Sequence, residues 1–131
     1  MPVAFCHGDL HPLNVIWGPG DIRAVIDWEF CGLKPAVYDL ANLIGCVGIE
    51  EPQALGGMLV HTAITRLMDE GALDENCWAH LPPFVVAVRL AWLSEWLRQR
   101  DGGMIELEHR YLRLLIDHQE ALYDSWCIPR A

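Results

Sequence analysis

The chain has 131 residues, is 53% hydrophobic with six tryptophans, and carries a formal net charge of −9, with Lys34 as its only lysine. That length predicts one domain, residues 1–131, able to bury roughly two-thirds of its unfolded surface. So acidic a chain does not suit sequence-independent binding to nucleic acid or docking on anionic membranes, both of which need clustered cations.

In chain order, Val3 to Cys6 reads as a short apolar strand. "NVIW" and "IRAVID" read as two more, and the Gly18-Pro19-Gly20-Asp21 turn between them makes a hairpin. Helices follow. Val37 to Ile44 is one, expected to end near Gly45 and Gly48. Gln53 to Glu70 is a second, with Leu55, Leu59, Ala63 and Leu67 at helical spacing and Gly71 as its stop. Asp74 can cap a short third segment. Pro82 and Pro83 open a long helix to about Arg100, and Asp101-Gly102-Gly103 breaks it. Ile105, Leu112, Leu115, Ile116, Leu122 and Trp126 stripe a last helix. The fold class expected is α+β, mainly α: a β-hairpin region over 1–35 and a helical bundle over 36–131.

Val85 to Leu97 is the most apolar stretch, but Arg89 and Glu95 interrupt it and it is too short to span a bilayer. No basic-then-apolar leader opens the chain, so a cytoplasmic protein is expected. The five cysteines are widely spaced with no CxxC pair, which favours reduced thiols over a disulfide framework or a zinc knuckle.

The stretch "FCHGDLHPLNVIW" crowds polar side chains between apolar runs. If Trp17 pairs with Ile22, then Val15 faces Ala24 and Asn14 faces Val25. Asn14 and Asp27 become diagonal neighbours about 7–8 Å apart at the backbone. Both offer hard oxygen ligands that suit magnesium. Asp9 lies five residues before Asn14, the spacing of the kinase catalytic loop H-R-D-x-x-x-x-N, with Gly8 in place of Arg. His7-x-Asp9-x-His11 offers a second reading, a zinc or iron site. His61, His80, His109 and His118 fall on the helices as surface or capping residues.

"HGDLHPLN", "VIDWE" and "PAVYDLANLI", in that order and spacing, resemble the aminoglycoside phosphotransferase and choline kinase-like family, which has a protein-kinase-like fold. The resemblance implies ATP-dependent phosphorylation of a hydroxyl on an aminoglycoside, choline or similar small acceptor. It makes Asp9 the catalytic base, Asn14 and Asp27 the Mg2+ ligands, His7 a brace of the catalytic loop and Asp39 its support. His11 either lines the acceptor pocket or fills the loop. Glu29 is either a pocket carboxylate for a cationic substrate, with Trp28 beside it as a further pocket residue, or a solvated acid. Trp92, Trp96 and Trp126 are core, or a pocket wall. Family members carry a nucleotide-binding N-terminal lobe before this motif, and only six residues precede His7 here. The chain thus resembles the C-terminal lobe alone. Two functions follow: a phosphotransferase completed by a lobe from a partner, with no activity expected of this chain by itself, or a non-catalytic remnant acting as a binding module. A homodimer through the surface near Val3 and Phe5 is expected where no lobe covers it.

Overall fold

The computed structural model describes residues 1–130. The class is α+β, mainly α. Strand β1 (Val3–Cys6) pairs antiparallel with β4 (Gly32–Pro35), placing Phe5 opposite Leu33. Strands β2 (Val15–Trp17) and β3 (Ile22–Val25) form the expected hairpin. Nothing in Gly32-Leu33-Lys34-Pro35 reads as a strand, since Gly and Pro are turn residues. Its shortness, with Pro and Lys in it, suits an edge.

The hairpin register is a correction. Trp17 faces Ile22, but a bulge follows: Ile16 faces Ala24 and Val15 faces Val25, so Arg23 is the extra residue. Asn14 ends a 3-10 turn, Pro12–Asn14, and comes opposite Ile26, whose N–H donates to the Asn14 carbonyl at 2.9 Å. The bulge therefore moves Asn14 one position closer to Asp27 along the ladder than the regular register would.

Helix α1 (Tyr38–Glu50) runs straight through Gly45 and Gly48. These glycines are contact points rather than stops. A Cβ on Gly45 would stand 2.8 Å from Arg89 Cδ, and one on Gly48 would overlap the Tyr111 hydroxyl and the Leu55 side chain. The second expected helix divides into a 3-10 turn, Pro52–Gly56, and α2 (Met58–Asp69). Gly71, at φ +62°, ends α2 as expected: its N–H reaches the Met68 carbonyl and that of Ala72 reaches Leu67.

Asp74 caps α3 (Glu75–Ala79), accepting from the Cys77 N–H at 2.8 Å. Helix α4 (Leu81–Gln99) opens on its prolines. The last expected helix is two, α5 (Gly102–Asp117) and α6 (Gln119–Trp126). They part at His118, whose N–H and ring Nδ1 both meet the Leu114 carbonyl. Asp101 caps α5 through the Met104 N–H, so Gly102 and Gly103 belong to its first turn.

Helix α4 lies between α1 and α5. Ile44, Ile64, Leu81, Val85, Leu115 and Trp126 are almost wholly buried among the helices, each stabilising by about 1.5–3 kcal/mol on area grounds. The Trp126 indole donates to the Leu55 carbonyl at 2.7 Å, so this tryptophan is core. The strands add little to that core: Val3, Phe5, Trp17, Ile22 and Leu33 are exposed. The helices carry stability, and the β region is a rim that shapes one loop. Among the described residues no helix is long and apolar enough to cross a membrane, and all five cysteines are free thiols.

Candidate active site

The loop after β1 is fixed from three sides. Asp39, in the first turn of α1, accepts the His7 N–H at 2.7 Å and the Gly8 N–H at 2.9 Å, one on each carboxylate oxygen. Such charge-assisted bonds are the stronger kind. His7 is buried and uses both ring nitrogens. Nδ1 accepts the Asp9 N–H at 3.2 Å, so Nε2 carries the proton and donates to the Ile26 carbonyl at 2.8 Å. One imidazole thus ties the loop to the end of the hairpin, and neither nitrogen is free for a transition metal. Gly8 takes φ +87°, and a Cβ there would strike the Phe30 carbonyl and approach Lys34 Cε to 2.9 Å. Gly8→Ala is expected to cost about 1–3 kcal/mol of stability in urea unfolding. An unchanged midpoint would mean the loop relaxes freely.

Asp9, Asn14 and His11 come together. Asn14 is buried, and its Nδ2 donates to the Asp9 carbonyl at 2.9 Å and to Asp9 Oδ2 at 3.3 Å. His11 Nε2 lies 3.5 Å from the same Oδ2. Asp9 is only 7% exposed, and its other oxygen, Oδ1, is buried with no hydrogen-bond partner. Leaving such an atom bare costs about 1–3 kcal/mol, a cost that a ligand's donor would remove.

Asp27 follows Ile26 with its side chain exposed and its backbone at φ +63°, a left-handed conformation unusual outside glycine. Arg100 and Cys127 share this conformation as helix C-caps, whereas Asp27 takes it just past a strand. With Asn14 Nδ2 turned to Asp9, the amide Oδ1 is left as the acceptor, and it and the Asp27 carboxylate are hard oxygen donors. Among the described residues no group of three or more His, Cys, Asp or Glu could hold a metal ion. The Asn14 amide oxygen and the Asp27 carboxylate are the kind of hard-oxygen donors magnesium takes, one or two from the protein with water and phosphate oxygens completing the shell. Both His7 ring nitrogens are already hydrogen-bonded, which does not suit a zinc site built on His7, Asp9 and His11.

Two clefts meet at Asp9, and Trp92 walls both. One, of about 610 Å3, is lined by Glu29, Phe30, Lys34, Tyr38, Glu95 and Arg98, among others. The Arg98 guanidinium and the Gln99 amide hold the Glu95 carboxyl down at about 2. Lys34 sits 5.0 Å from the centre of the Tyr38 ring. The other cleft, of about 680 Å3, has His11, Leu13, Val47, Leu59, Trp96 and Met104 in its lining. Burial pushes the Cys46 thiol in that cleft up to about 11, against the pull of Arg89, so it stays neutral and is a poor nucleophile.

Of the residues the sequence left open between pocket and loop, Glu29 lines the first cleft and His11 the second. Trp28 lines neither. Its ring packs on His7 at 4.5 Å and its indole donates to the Val25 carbonyl, so it braces the loop instead. Asn42 went unnoticed. It is fully buried, donates to the Leu10 carbonyl at 3.1 Å and accepts the Trp92 indole N–H at 3.3 Å, tying the loop to the wall shared by the clefts. The available signal was its position three residues after Asp39, a polar side chain in an apolar helix.

The APH phosphotransferase enzyme family matches residues 1–73, and the chain belongs to that family. An uncharacterized kinase-like protein of Caenorhabditis elegans is 35% identical over 51 residues, covering 37% of this chain and 13% of that protein. The homoserine kinase of Rhodopseudomonas palustris (strain TIE-1) is 24% identical over 110 residues, covering 81% of this chain and 34% of the enzyme. The chain therefore spans about a third or less of the curated relatives it matches. No solved structure matches it.

Proposed function

We propose that this chain is the acceptor- and metal-binding part of a small-molecule O-phosphotransferase, built as the C-terminal lobe of a protein-kinase-like fold. The observation that carries the reading is Asp9, which lines both clefts, has Asn14 hydrogen-bonded to its Oδ2 and leaves its buried Oδ1 without a partner. In the mechanism, an acceptor hydroxyl donates its hydrogen bond to Asp9 Oδ1. Its oxygen forms a bond to the γ-phosphorus of ATP, the bond from that phosphorus to the β–γ bridging oxygen breaks, and the proton passes to Asp9. Asn14 and Asp27 would hold the nucleotide's magnesium, which supplies charge neutralisation at the phosphate oxygens. Asp39, His7 and Asn42 fix the loop so that Asp9 needs no reorganisation. Glu29, which lines the first cleft together with Trp92, favours a cationic acceptor such as an amino alcohol.

An ATP-covering lobe is proposed to pack on the exposed Val3, Phe5 and Leu33 face of β1 and β4. Phosphorus NMR of ATP with a panel of amino alcohols, homoserine and aminoglycosides tests the reading. With that lobe present, transfer to a hydroxyl is expected, and the isolated chain should give none. ATP hydrolysis without transfer to any acceptor would contradict it. Alone, the chain is expected to self-associate through the bare β face, as a two-fold dimer. In sedimentation equilibrium, a 14.8 kDa monomer that binds no apolar dye would contradict that.

A further inference from the structure

We propose that the second cleft binds an alkyl chain carried by the acceptor, so that the acceptor is an amphiphilic amino alcohol rather than a polyhydroxylated sugar. The inference rests on the phosphotransferase reading for the hydroxyl's place at Asp9, and adds what the rest of the molecule must be. The two clefts share Asp9 and Trp92 but differ in chemistry. The first carries Glu29, Lys34, Glu95 and Arg98. The second is walled by Leu13, Val47, Ile49, Leu59, Trp96 and Met104. An aminoglycoside would leave its hydroxyls without partners against those walls, at a cost for each.

Charge agrees. The one arginine of the second cleft, Arg89, is 3% exposed and held by Glu108 through two hydrogen bonds, so it is neutralised from behind. Asp9, Glu50 and Glu51 remain on the cleft side. An anionic amphiphile such as a fatty acid is therefore disfavoured, and a cationic one favoured. The unpartnered Asp9 Oδ1 independently calls for a donor at the junction. A hydroxyl there, an ammonium toward Glu29 and Trp92, and an alkyl chain toward Leu59 satisfy all three features with one molecule.

The test uses choline analogues in which one N-methyl is replaced by alkyl chains from ethyl to octyl, titrated calorimetrically without nucleotide. Affinity should tighten about 3- to 4-fold per added methylene until the cleft is filled. Leu59→Lys and Leu13→Lys should abolish this gradient. These side chains are 46% and 84% exposed, so the fold should tolerate both changes. Leu90→Lys, at 51% exposed and outside both clefts, should preserve it. Affinity independent of chain length, no binding at any length, or a gradient that survives both cleft substitutions would each overturn the proposal. Because binding is read without nucleotide, the two readings fail separately: a gradient here, with no transfer to any acceptor once the nucleotide-binding lobe is present, would sink the phosphotransferase reading alone. Transfer without a gradient would sink only this inference.

Discussion

Glu108→Ala should destabilise the fold by about 3–5 kcal/mol. Glu108 is fully buried, and its oxygens take Arg89 Nε at 2.7 Å, Arg89 Nη2 and the Trp96 indole at 3.3 Å. Burial alone would lower the Arg89 pKa, but the hydrogen bonds and charge of Glu108 more than reverse that. Removing the carboxylate leaves a guanidinium in the core between α1, α4 and α5, with the Cys46 thiol at 3.6 Å as a weak remaining partner. The pair itself need not be favourable: replacing Arg89 and Glu108 together by Met and Leu should recover most of the loss, because two desolvation costs vanish with the attraction. Urea unfolding of the two variants gives both numbers. A single-variant cost under about 1 kcal/mol would mean that water reaches the pair and that it behaves as a surface salt bridge.

Asp9→Asn should lower phosphoryl transfer by about 10²–10⁴-fold, the range for loss of a general base, when assayed with the nucleotide-binding lobe in place. The amide has nearly the carboxylate's shape, so the Asn14 and Asp9 backbone contacts survive and the fold should not change. What is lost is the acceptor for the hydroxyl proton at Oδ1. The effect should fall mainly on kcat, with a smaller rise in KM from the lost hydroxyl hydrogen bond at Oδ1, since the rest of the substrate is held by other residues. Activity that survives the substitution would remove Asp9 from the chemistry.

The site was legible because its signal is local. His7, Asp9 and Asn14 lie within one loop, and Asp27 and Asp39 follow at short range, each next to a recognisable strand or helix signal. What escaped depended on distant neighbours. Gly45 and Gly48 look like helix stops until Arg89 and Tyr111, far along the chain, are seen to press against them. Asn42 reads as an ordinary helix residue until Leu10 and Trp92 meet it. The bulge at Arg23 has no glycine to announce it, and it shifted the predicted pairing of Asn14 by one residue. Trp28 was placed in the pocket by adjacency to Glu29, yet the left-handed backbone at Asp27 turns it back onto His7. Side-chain composition gives the elements and the chemistry; close approaches are settled by packing.

The central claim is that Asn14 and Asp27 form the metal side of a phosphoryl-transfer site. Titrating the chain with manganese and following line broadening of its amide resonances tests this most directly, since broadening reports proximity residue by residue even for weak binding. The account predicts that the amides of Asn14, Ile26 and Asp27 broaden first in the wild type and that this pattern disappears in Asp27→Ala. Broadening that begins instead at the acidic Glu50-Glu51 rim, or that is unchanged by Asp27→Ala, would contradict it.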